Sequence, residues 1–240
     1  MSITRVKICG ITRPEDAAVA AENGVDSVGL NFFQGPRKIE PQNAREIIRQ
    51  LPPLVTPIAL VSGNRSEIPT PYDIYKMLRI FVFQIYAAKS HWDFYENECE
   101  YWLVSHVRSR DSLTQLAVDW ASWPNPTLLG EGSGWVAPET RFGQKPSAFV
   151  LDTAYGPSRG GTGQSFNWNW IAEAREAGEL EGLPPIILAG GLTPENVAEA
   201  IRIARPYAVD VSSGVEVAGK PGVKDPIKMR DFIQAAKGAV

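Results

Sequence analysis

Only two cysteines and two histidines occur in the 240 residues: Cys9, Cys99, His91 and His106. The cysteines fall in different predicted elements, so no disulfide framework is expected, and a reducing cytoplasm suits the chain. Neither histidine has a partner at metal-ligand spacing, which argues against a zinc site and leaves both as surface or packing residues. An excess of charge is missing too. With 24 Lys and Arg against 27 Asp and Glu, the formal net charge is −3 and the pI is near 5.5. That balance gives no electrostatic footprint for nucleic acid or an anionic membrane. No run of 18 apolar residues exists, and the amino terminus leads into a strand with no signal-peptide apolar region, so neither membrane spanning nor export by that route is expected. No nucleotide-binding fingerprint follows the first strand, so no nicotinamide or flavin cofactor is indicated. What these absences leave is a cytoplasmic protein with a small-molecule partner.

Hydrophobic residues make up 44% of the chain and charged ones 21%, enough for a sizeable core. Apolar runs of strand length alternate with amphipathic stretches, the pattern of repeated βα units around a parallel sheet. Eight strands are predicted: Val6 to Cys9, Ser27 to Phe33, Pro57 to Val61, Phe81 to Tyr86, Tyr101 to Val107, Ala148 to Asp152, Pro185 to Ala189 and Tyr207 to Val211. The helices between them are Pro14 to Glu22, Pro41 to Gln50, Pro71 to Leu78, Trp92 to Glu98, Ser112 to Ala121, Trp168 to Ala177, Pro194 to Ala204 and Pro226 to Lys237. Several open with proline at the first position, where its missing N–H costs nothing. In the seventh, Thr193 is placed to cap and Glu195 to favour the first turn. The expected fold is α/β, a single (β/α)8 TIM barrel domain over residues 1–240. The segment 123–146, rich in proline and glycine, is an inserted excursion before the sixth strand.

Strand ends hold the candidate chemistry. Lys7 and Cys9 share one face of the first strand, and Cys9 would close an inward-facing row at the carboxyl end, where barrel enzymes keep reactive groups. A cysteine there is commonly just a small buried hydrophobe. As a catalyst it must be thiolate, which Lys7 could favour; equally, Lys7 could be a structural charge paired inside the barrel. Asp152 ends the sixth strand in the same way, and Gly160-Gly161-Thr162-Gly163 follows it, a segment suited to closing over substrate or to approaching a phosphate through Gly161 and Gly163. After the seventh and eighth strands come Gly190-Gly191 and Ser212-Ser213-Gly214, with a short helix expected near Ser213. Loops in these positions commonly bind phosphate. Asp210 could bond substrate hydroxyls or serve structure alone. Arg37, after the second strand, could grip a carboxylate through two bonds or remain a solvated charge.

Together these pieces resemble the phosphoribosylanthranilate isomerase family of tryptophan biosynthesis. The likeness rests on Lys7-Ile8-Cys9-Gly10-Ile11-Thr12, Pro36-Arg37, Leu151-Asp152-Thr153 with Gly160-Gly161-Thr162-Gly163, Ala189-Gly190-Gly191-Leu192 with Pro194-Glu195-Asn196-Val197, and Asp210-Val211-Ser212-Ser213-Gly214-Val215-Glu216. It implies an eight-stranded barrel and a cofactor-free Amadori rearrangement of N-(5'-phosphoribosyl)anthranilate to 1-(2-carboxyphenylamino)-1-deoxyribulose 5-phosphate. By this resemblance Asp152 is the general acid, Cys9 the general base and Arg37 the holder of the anthranilate carboxylate. Lys7 and Asp210 would contact substrate. A monomer or homodimer is expected. The chain departs from the family pattern at Tyr86, where a histidine is usual, in the third strand at Leu60-Val61-Ser62-Gly63-Asn64, and at Asn167 in place of an aspartate. Two other readings are a related barrel isomerase of another phosphoribosyl amine, and a non-catalytic barrel that binds a phosphate ligand. Retention of Arg37 favours anthranilate over the first, and retention of both Cys9 and Asp152 argues against the second.

Overall fold

Eight strands, each parallel to its neighbours, pair in sequence order and close on themselves through β1 and β8 in the computed structural model. They are β1 (Arg5–Cys9), β2 (Ser27–Asn31), β3 (Thr56–Ser62), β4 (Val82–Tyr86), β5 (Glu100–Val107), β6 (Ala148–Thr153), β7 (Ile186–Leu188) and β8 (Ala208–Val211). The helices are α1 (Pro14–Glu22), α2 (Pro41–Gln50), α3 (Pro71–Leu78), α4 (Asp111–Ala121), α5 (Asn169–Glu176), α6 (Val197–Ala204) and α7 (Pro226–Lys237). The structure describes residues 3–62, 69–86, 99–122, 145–153 and 165–239. The predicted helix Trp92 to Glu98, nearly all of the 123–146 excursion, His91, Gly161 and Gly163 lie outside the described residues.

The (β/α)8 barrel expected from the alternation is present. Strand residues alternate between two environments because successive side chains point to opposite faces. Val6, Ile8, Val28, Leu30, Phe149, Leu151 and Val209 pack outward in the main core, against Ala17 and Ala20 of α1, Ile47 of α2, Ile171 of α5 and Phe232 of α7. Inward, Cys9, Ile58 and Leu60 form one small cluster, and Val104, Ala148, Val150, Ile187 and Ala208 form another. Each fully buried aliphatic side chain contributes about 1.5–3 kcal/mol, so the outer layer between sheet and helices carries most of the stabilisation. Polar residues at the inner strand ends are the exception that this layer sustains.

Proline-led starts are observed where expected for α1, α2, α3 and α7, and Asp225 caps α7 by accepting from the N–H groups of Ile227 and Lys228. Most boundaries fall within one residue of expectation, and three differences have a local cause. The helix predicted from Pro194 begins at Val197 and has no side-chain cap. Instead, the Asn196 side chain accepts from Thr193 N–H and donates to the Gly191 carbonyl, which fixes a turn before the helix. Thr193 therefore is not the cap. β2 stops at Asn31, whose side-chain oxygen accepts from Phe33 N–H at 3.1 Å and turns the chain. β7 is shorter than predicted, since Pro185 has no N–H to give a ladder.

Candidate active site

The carboxyl ends of the strands surround an open cavity of about 740 Å3. Its lining gathers Cys9 from β1, Arg37 after β2, Tyr86 from β4, Asp152 from β6, Gly190 and Gly191 after β7, and Asp210 with Ser212, Ser213 and Gly214 after β8. Nine of these were expected from sequence on strand ends or loops far apart in the chain, and Tyr86 had been noted only as a departure. Lys7 is not in the lining and stands behind it. Among the described residues, no cluster of histidine, cysteine or carboxylate side chains could hold a metal ion, and His106 is exposed on β5.

Asp152 is buried, and its Oδ1 accepts from Thr153 N–H at 2.7 Å. Burial pushes its carboxyl up to about 6; the Thr153 bond and Lys7 oppose that, and the charge of Asp210 reinforces it. An acid of this kind holds a proton that an ordinary aspartate would have lost. The space around it depends on Gly190, whose φ is +85°. A Cβ there would run into Thr153 and lie 2.8 Å from Asp152 Oδ1. Gly190 thus seats the acid as well as edging the cavity.

Across the cavity, Cys9 is 6% exposed. Burial and the Asp210 carboxylate push its thiol up, while Lys7 and Lys224 pull it down, and the upward causes prevail. Lys7 Nζ donates to Asp210 Oδ2 at 2.7 Å, both groups buried. This is the paired charge inside the barrel that the sequence had offered as one reading. The other oxygen of Asp210, Oδ1, is buried without a partner among the described residues, an acceptor at the cavity wall with an unmet hydrogen bond.

Arg37 is held by a carboxylate already. Its Nε and Nη2 each donate at 2.7 Å to Glu216, one to each oxygen. Glu216 Oε1 also accepts from Gly222 N–H at 2.9 Å and from Lys224 Nζ at 3.1 Å. Burial pushes the Glu216 carboxyl upward, yet these bonds and charges outweigh it and hold it below its usual range. The Nε side of the guanidinium is therefore occupied, and the Nη1/Nη2 edge is left for a second carboxylate. Lys224 Nζ donates in addition to the Ser212 carbonyl at 3.0 Å, so one buried network fixes both the arginine and the β8 loop. Ser213–Val215 forms the short helical turn expected there, of 3-10 type.

Sequence reasoning missed Glu216, Lys224 and Gln84 as site builders. Glu216 stood in the β8 motif without a role, and Lys224, eight positions on and bridged to Glu216 across a short antiparallel return, gives no signal in the sequence. Gln84, fully buried on the inner face of β4, donates to the Tyr86 hydroxyl at 3.2 Å. Tyr86 meets Phe33 edge to face, with centroids 5.2 Å apart. Burial, with the charges of Cys9, Asp152 and Asp210, pushes its phenol well above the ordinary range. It is a neutral hydroxyl facing three acidic groups.

Residues 136–235 match the family model described as N-(5'-phosphoribosyl)anthranilate (PRA) isomerase. A protein of Trichlorobacter lovleyi named N-(5'-phosphoribosyl)anthranilate isomerase is 40% identical over 238 residues, covering 98% of this chain and 99% of its own. Among solved structures, phosphoribosyl anthranilate isomerase from Thermotoga maritima superposes with a TM-score of 0.72 at 30% identity, over 98% of this chain and all of that one. A phosphoribosyl anthranilate isomerase in complex with reduced 1-(o-carboxyphenylamino)-1-deoxyribulose 5-phosphate matches with a TM-score of 0.69 at 28% identity, again over 98% and 100%.

Proposed function

The chain belongs to the family of N-(5'-phosphoribosyl)anthranilate isomerases, and from that premise we propose how its own residues divide the work. The reaction converts N-(5'-phosphoribosyl)anthranilate to 1-(2-carboxyphenylamino)-1-deoxyribulose 5-phosphate, a step of tryptophan biosynthesis. It breaks the bond between C1 and the ring oxygen and moves a proton from C2, work that one acid and one base accomplish. Asp152 gives its proton to the ring oxygen as the furanose opens to the imine. Cys9, as thiolate, takes the proton from C2, the electron pair moves toward nitrogen, and the enolamine tautomerises to the ketone. The observation that carries this reading is the placing of a carboxyl raised to about 6 and a thiol at the ends of β6 and β1, in the wall of one cavity.

Arg37 binds the anthranilate carboxylate through its free edge, with Glu216 holding the other edge so that the fork is presented in one orientation. Gly190, Gly191, Ser212, Ser213 and Gly214 take the phosphate by backbone N–H and hydroxyl donors, as the two loops lie side by side. Gly161 and Gly163 would add to it from the loop after β6. Asp210 Oδ1 accepts from a ribose hydroxyl, which supplies the hydrogen bond that oxygen lacks. Lys7, paired with Asp210 and behind the wall, acts on the site without touching substrate, in place of the direct contact first expected. No helix among the described residues is long and apolar enough to cross a membrane, and we place the enzyme in the cytoplasm as one domain, a monomer or homodimer.

Rescue of a bacterium lacking this isomerase on medium without tryptophan tests the activity. Growth is expected, with conversion of freshly made substrate by purified protein. A soluble, well-expressed protein that does neither refutes the assignment. Asp152→Asn and Cys9→Ser should each lower turnover by about two orders of magnitude or more while product-analogue binding persists; wild-type turnover in either removes its role.

A further inference from the structure

Six ionisable groups stand around or across the cavity from Cys9: Lys7 on its own strand, Arg37 after β2, Tyr86 on β4, Asp152 on β6, Asp210 on β8 and Lys224 beyond it. Arg37 and Lys224 are both bonded to Glu216, on the loop side of the thiol. Lys7 alone among the cations shares the strand face of Cys9. The structure also shows where the two meet. Gly29, opposite Cys9 in the pairing of β1 with β2, has no side chain in the barrel interior. A Cβ built there would lie 2.9 Å from Cys9 Sγ and 3.1 Å from Lys7 Nζ. Thiol and ammonium therefore converge on that one vacant position, within the roughly 6 Å over which an opposite charge shifts a titration.

We propose that Lys7 is the positioning residue that governs the ionisation of Cys9. Its single buried ammonium is shared between Asp210 and Sγ above the gap left by Gly29, and it holds the thiolate that proton abstraction requires. This rests on the reading of Cys9 as the base. Asp210 competes for the same cation, so the carboxylate that faces the ribose also restrains the thiol. When a substrate hydroxyl bonds Asp210 Oδ1, the carboxylate draws less on Lys7 and the thiolate gains what it gives up. Gly29 is needed because any side chain there would part the pair.

The rate of alkylation of Cys9 by iodoacetamide in substrate-free enzyme, followed as a function of pH on the Cys9 peptide by mass spectrometry, reads the thiolate directly. Lys7→Met keeps the apolar stem and removes the charge, so the midpoint should move to higher pH and the rate at pH 8 should fall by at least about tenfold. Lys7→Arg should recover part of it. Asp210→Asn should move the midpoint the other way and raise the rate at least about threefold, because Lys7 is left with one acidic neighbour. Gly29→Ala should resemble Lys7→Met. A loosened structure would speed alkylation in all of them, so opposite signs separate ionisation from access. An unchanged or lowered midpoint in Lys7→Met, or a raised one in Asp210→Asn, overturns the proposal. If Lys7→Met does not fold, the Asp210→Asn and Gly29→Ala pair decides it. Failure of the base itself looks different: Cys9→Ala would keep full turnover whatever the alkylation rates are.

Discussion

The proposed mechanism requires Asp152 with its proton and Cys9 without one, yet the structure holds the carboxyl at about 6 and the thiol above its ordinary value. Between those two points the dominant form of the free enzyme is the reverse, carboxylate with thiol. The working state, carboxylic acid with thiolate, is therefore a minor fraction of the free enzyme, and it shrinks as the two midpoints move apart. Below pH 6 the carboxyl is protonated but the thiolate fraction falls tenfold per unit. In the middle the two trends cancel, and above the thiol midpoint Asp152 alone limits. The kcat/KM profile should therefore be a bell with its acid limb near 6 and its alkaline limb above the ordinary range of a cysteine thiol, measured by loss of fresh substrate from about pH 5 to about pH 10. Asp210 pushes both groups upward, so Asp210→Asn should carry both limbs to lower pH. The alkaline limb should coincide with the alkylation midpoint of Cys9. A profile flat down to pH 5, or an alkaline limb below 7, would refute the assigned protonation states.

The same burial makes Asp152 a cost to stability. Its folded carboxyl binds the proton more tightly than the unfolded one, near 3.8 against about 6, so stability falls as pH rises between those values and the loss of about 3 kcal/mol is complete above them. Asp152→Asn should unfold in urea with about that much extra stability at pH 8 and little at pH 3.5, while almost inactive. Glu216→Gln should raise KM about tenfold with kcat changed less than about threefold, since Arg37 loses its orientation and not its charge. It should also destabilise by about 3–5 kcal/mol, because Lys224 stays buried without an anion; a normal KM would take Arg37 out of substrate binding. Arg37→Lys should raise KM similarly by removing the fork, read in the same steady-state assay. Gly190→Ala should lower kcat about a hundredfold or more, as the new methyl presses on Asp152 and Thr153; steady-state kinetics on the folded variant check it.

What the chain made legible was local. Proline at a first helical position marks α1, α2, α3 and α7 to the residue, because a missing N–H has its effect within one turn. Strand alternation placed Cys9, Asp152 and Asp210 on inner faces for the same reason. Boundaries were missed where a side chain bonds its own backbone, as Asn31 and Asn196 do, since those bonds compete with the regular ladder over two or three residues. The Arg37–Glu216 bond was beyond reach because it spans 179 positions, and nothing near either residue announces the other. Gly29 carries no local signal, for its meaning lies in two side chains on the neighbouring strand. Lys224 was invisible because a lysine gives no local sign of being buried.

The Lys7–Asp210 bond joins positions 203 residues apart, on the first strand and the last. At about 5–20 residues per second of synthesis, β1 leaves the ribosome roughly 10–40 s before its partner. For that interval a lysine and a thiol destined for the interior have no carboxylate to close over them and must be shielded by solvent or by a chaperone. A message cut short before β8 then yields a polypeptide with its proposed base and no cage, incapable of the chemistry and marked by exposed core for disposal. Activity in the cell accordingly counts finished chains only.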